Sequence, residues 1–160
     1  MRPALFAAGF FFAVLQFSYY LLLEWRLSSA WTTYALLTLG WLAGVWAGLR
    51  LKPGRDLAFL AASLGAYGLL STTSGWSPFD DRLRPLFALC AGLSGAHAGT
   101  FFRTAYARLQ DARSLLLHEN NGFLVGLLAG FLGFYGFGWT FSLWAPPAAA
   151  LLLAGLRRRA

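Results

Sequence analysis

Few side chains in this sequence can do chemistry, and those that can are set within long apolar runs. His97 stands between Ala96 and Ala98 in the run FALCAGLSGAHAGTFF, on roughly the same side as Cys90. A histidine in such a place can hydrogen-bond a quinone head group, ligate haem or relay a proton, which makes His97 the candidate cofactor contact. Its plainer role is a hydrogen bond to a neighbouring carbonyl or hydroxyl, and a single histidine supplies no bis-histidine haem site. Arg103 and Glu119 are placed symmetrically about Asp111, so an antiparallel hairpin would bring them to one depth. An unpaired charge at that depth is expensive, which predicts a structural Arg103–Glu119 ion pair rather than a catalytic one. His118, Asn120 and Asn121 surround Glu119 and read as residues that cap and start a helix at the water interface. Gln16 is the strongly polar residue near the middle of the first apolar run, where an interhelical hydrogen bond worth about 1 kcal/mol is its usual task.

Other chemistries are excluded. No nucleophile, base and orienting group share a motif, and no two carboxylates share an apolar stretch. Cys90 is the one cysteine, so there is neither a disulfide framework nor a cysteine-based metal site. The glycines lie inside apolar runs, not in a loop between strand and helix that could cradle phosphate. These residues point away from an enzyme, and none of them requires a cofactor.

Composition names the elements that carry these groups. Charged residues make up 12% of the chain, about half the share of a soluble domain, while 58% is hydrophobic. The expectation is an all-α integral membrane protein, with one transmembrane domain over residues 1–160. Six spans can be drawn, at about 3–23, 29–49, 56–73, 85–105, 115–135 and 137–156, each near the roughly 20 residues that cross a bilayer. The first is too long for a signal-peptide core and reads as a retained helix. Pro146 and Pro147 are expected to kink the sixth or begin a new helical segment. The stretch STTSGWSPFDD reads as a surface turn, and Gly136 and Gly138 as a tight joint between the fifth and sixth helices.

The net charge of +7 is distributed as topology, not as a nucleic-acid face. Ten bases fall on one side, at Arg2, Arg50, Lys52, Arg55, Arg103, Arg108, Arg113, Arg157, Arg158 and Arg159, against Arg26, Arg82 and Arg84 on the other. The positive-inside rule then puts both termini in the cytoplasm of a bacterial-type inner membrane. Trp25, Trp31, Trp76, Trp139 and Trp144 fall near the outer ends, as an interfacial belt would.

Small residues form stripes at helical spacing. Gly40, Gly44 and Gly48 line the second helix; Ala58, Ala61, Gly65, Gly68 and Thr72 the third; Gly92, Gly95 and Gly99 the fourth. On the fifth, Glu119, Gly122, Gly126, Gly130 and Gly133 share one arc of roughly 80°. Each glycine costs a helix about 1 kcal/mol against alanine, and in lipid the return is close helix contact. Such faces serve either a compact bundle or a partner.

Three of these stretches carry a likeness. AAGFFFAVLQF sets Gly9 ahead of Gln16, LGWLAGVWAGLRL holds Gly44 and Gly48, and Glu119 precedes Gly122 and Gly126. In this the chain resembles the membrane domain of bacterial spermidine-synthase-like membrane proteins, itself similar to half of a major-facilitator transporter. The resemblance implies a six-helix bundle of two inverted three-helix halves. That family has an acid where Gln16 stands and an aspartate where Glu119 stands. Its aminopropyl-transfer site lies in a soluble domain with no counterpart in this sequence, so no catalytic residue carries over.

The expected function is a non-enzymatic membrane subunit that scaffolds or anchors a partner in a larger complex, with electron transfer one such setting. Two alternatives stay open: a small-molecule transporter built as a dimer of six-helix halves around Gln16 and His97, and a quinone- or haem-contacting subunit using His97. The expected partners are membrane lipids and either other membrane subunits or further copies of the chain.

Overall fold

A computed structural model describes residues 2–51 and 56–158. Six α-helices follow one another: α1 (Arg2–Arg26), α2 (Trp31–Gly48), α3 (Asp56–Trp76), α4 (Arg84–Leu109), α5 (Ala112–Phe137) and α6 (Trp139–Arg158). One turn of 3-10 helix at Asp81–Leu83 leads into α4, and no strand occurs among the described residues. The bases Lys52, Arg55 and Arg159 of the expected charge pattern lie outside the described residues.

Five helices, all but α2, are long and apolar enough to cross a membrane. The sequence suggests six such spans. α2 has 18 residues and no charged side chain, so composition rather than length sets it apart: its three tryptophans, three threonines and Tyr34 keep its hydropathy below that of the other five.

Local chemistry sets the helix ends. Gln110 takes a left-handed φ of 53° where α4 stops, and its N–H donates to the Tyr106 carbonyl at 2.9 Å. Asp111 then caps α5 by accepting the Ser114 N–H at 3.1 Å. The cap of α5 is therefore Asp111; His118, Asn120 and Asn121, expected to start the helix, lie in its second and third turns. At the other end Gly138 adopts a φ of 57°, a conformation that disfavours any side chain, and α6 begins at the next residue.

Two further expectations are corrected. α3 runs through the first half of STTSGWSPFDD to Trp76, because Thr72, Thr73 and Ser74 donate their hydroxyls to carbonyls four residues back. Those hydroxyls are satisfied within the helix and do not break it. α6 is likewise unbroken through Pro146 and Pro147. Each proline lacks one N–H, so the loss falls on two carbonyls one turn back, which a helix in this setting tolerates.

The backbone forms two compact units, Met1–Ser18 with Ala105–Ala160, and Tyr19–Thr104. In the first, Val14 of α1 packs on Phe141 and Ala145 of α6, with Phe10 against them. In the second, Tyr19 meets Tyr67 edge-on with ring centres 5.3 Å apart, and Leu70, Phe87 and Phe101 are fully buried.

Candidate functional site

The glycine stripes decide which helix faces are used. In the first unit α1 and α5 touch backbone to backbone. A Cβ at Gly122 would overlap the Phe6 carbonyl, and one at Gly9 would overlap that of Glu119. Gly126 meets Phe10 and Ala13, and Gly130 meets the Phe17 ring. Contacts climb both chains together from Phe6 and Gly122 to Phe17 and Gly130, so the two helices run parallel.

The second unit repeats the device. Gly40, Gly44 and Gly48 of α2 face the backbone of Ala88, Gly92 and Ala96 of α4, while Gly95 and Gly99 close on Trp41 and Val45. Every step of four on α2 is matched by a step of four on α4, so this pair is parallel too. A side chain on either helix would push the backbones apart.

α3 differs. Its small residues Ala58, Ala61, Gly65, Gly68 and Thr72 are all exposed, and no atom lies within 4 Å of where a Cβ at Gly65 or Gly68 would be. The stripe alternates steps of three and four, and among the described residues of its own unit nothing covers Gly65 or Gly68.

The polar groups fall into separate places. Glu119 is buried at 6% exposure, its carbonyl against Gly9 in the α1·α5 contact. Arg103, expected to meet Glu119, directs its Nη1 to the carbonyls of Leu49 and Leu51 at 3.2 and 2.8 Å. These are the C-cap of α2 and the second residue after it, where carbonyls lack helical partners and the helix dipole favours a cation. The arginine thus clamps the end of α2 in its own unit.

His97 is fully buried on the face of α4 that also carries Cys90, Ser94 and Phe101. One turn away, Ser94 shares a hydrogen bond of 3.0 Å with the Tyr19 hydroxyl, which also donates to the Cys90 carbonyl at 3.4 Å. Gln16 is half-buried on α1. The interhelical hydrogen bonds seen on α1 come from its neighbours: Tyr19 to α4, and Tyr20 to Thr38 of α2 at 2.7 Å with its ring stacked on Tyr34.

The sequence gives no sign of the bonds made by Tyr19 and Tyr20, since a tyrosine in an apolar run reads as bulk rather than as a donor. Arg50, which the sequence places only in the charge pattern, has its guanidinium carbon 3.5 Å from the centre of the Trp46 ring, and its Nη1 donates to the Trp46 carbonyl. Trp25, Trp31, Trp76 and Trp144 are exposed near helix ends, in keeping with interfacial side chains.

No family model, curated protein or solved structure matches this chain.

Proposed function

We propose that this chain is a non-enzymatic, multi-pass membrane subunit that binds a helix of another membrane protein along α3. The observation that carries this reading is the open small-residue face from Ala58 to Thr72. Glycines facing lipid would weaken a helix by about 1 kcal/mol each with nothing gained. Against a partner helix they permit the close approach that α2 and α4 already make in the same unit. The test is co-purification after gentle extraction. Wild-type chain should emerge with a second membrane protein, and G65L together with G68L should release it while leaving the chain folded. Recovery of wild type free of any other protein would refute the reading.

In this reading the chain sits in a bacterial-type inner membrane, with both termini cytoplasmic and α2 completing six crossings. The bias of ten bases to three supports that orientation. The likeness to spermidine-synthase-like membrane domains supports the arrangement in inverted halves and assigns no chemistry. The cofactor alternative rests on His97. Because that histidine is fully enclosed by protein, a haem iron or quinone would reach it only if neighbouring side chains parted. An absorption spectrum of the extracted protein tests for haem.

A further inference from the structure

The outward side of α5 carries a second pattern. Leu117, Asn121, Leu124, Leu128, Phe131 and Tyr135 recur at alternating intervals of four and three, the spacing of a two-helix seam. All six are exposed, Leu128 at 62% and Tyr135 at 92%, and they point away from Gly122, Gly126 and Gly130, which face α1. Lipid could cover the leucines. It cannot cover Asn121, because acyl chains offer a carboxamide neither donor nor acceptor.

Depth sharpens the point. α5 has 26 residues and is about 39 Å long, so an apolar core of about 30 Å centred on it begins about 5 Å from each end. On that centring Asn121, about 15 Å along the axis from the Asp111 cap, falls inside the core. As Asp111 already caps the helix, the amide is not needed there.

The chemistry selects a second copy of this chain as the occupant. A carboxamide holds both donor and acceptor and so pairs with its own image. Copies inserted in one orientation are related by a twofold axis along the membrane normal, which makes their α5 helices parallel and places like residues opposite each other. Asn121 then meets Asn121, Leu124 meets Leu124, and Leu128 meets Leu128. We propose that two copies of the chain associate through this face of α5, with the Asn121 amides hydrogen-bonded across the axis. The proposal rests on the membrane reading and is independent of any partner on α3.

The test is oxidative cross-linking in native membranes, in a Cys90→Ser background. Single cysteines at Leu124 and Leu128 should give dimers, and one at Val125, off the seam by about a quarter turn, should give few. Native mass spectrometry of the unmodified chain, which needs no substitution, should show two copies. Asn121→Leu should raise the dimer dissociation constant about 10-fold, as loss of an intramembrane amide pair would, and Asn121→Gln should retain most of the association. No cross-link at any site, equal cross-linking at Val125, or cross-links to a different protein would each overturn the proposal. A dimer that survives G65L and G68L while another protein is lost would leave both readings standing. A dimer with no other protein in the wild type would defeat the α3 reading alone.

Discussion

α2 and α3 sit in the same unit and carry the same kind of stripe, yet one is closed and the other open. Gly40, Gly44 and Gly48 have no room for a Cβ because α4 lies on them, while Gly65 and Gly68 have nothing within 4 Å. Small residues at helical spacing cannot by themselves tell the two apart. What separates them is a matching stripe on another helix: α4 offers Ala88, Gly92 and Ala96 in step with α2, and with both partners small the backbones meet. A small-residue face therefore becomes internal where the chain supplies its complement, and otherwise stays open.

The contrast can be broken most severely at α2. Gly44→Leu should destabilise the second unit by at least about 3 kcal/mol, because the Gly92 carbonyl occupies the space and backbone cannot rotate aside as a side chain can. Thermal unfolding of the extracted protein would show it, and an unchanged midpoint would mean the α2·α4 contact does not exist. Gly122→Val should cost a comparable amount through Phe6, with the loss felt in the first unit. Gly138→Ala should cost about 1 kcal/mol through its positive φ alone, since no atom lies near its Cβ position. Tyr19→Phe should cost about 1 kcal/mol by removing the hydroxyl that Ser94 meets. The smallest effect on stability belongs to Gly65→Leu, within about 0.5 kcal/mol, because the substitution enters open space. A loss as large as that of Gly44→Leu would show that α3 is packed and erase the difference between the two helices.

Much of the fold is legible in the sequence because long apolar runs leave the backbone few options. All six helices and the joint at Gly138 can be placed from hydropathy and glycine alone. Ends were harder. Hydroxyls that signal a turn in water are satisfied inside a helix at Thr72, Thr73 and Ser74, and Asp111 rather than the Asn120–Asn121 pair caps α5. Side-chain partners were harder still. Arg103 was matched to Glu119 by depth, the one coordinate a hairpin supplies, but carbonyls at the end of α2 are also acceptors and no sequence pattern marks them. Tyr19 and Tyr20, not Gln16, make the bonds seen from α1 to α4 and α2, because their reach is longer and their rings pack as they bond.

In the proposed reading α3 keeps its small residues for another protein. Native mass spectrometry of the gently extracted chain, wild type beside the G65L and G68L double variant, tests it most directly. The wild type should carry a second membrane protein, and the variant should lose that mass while keeping its own fold and its thermal midpoint. Identical spectra from the two, with no foreign protein in either, would contradict it.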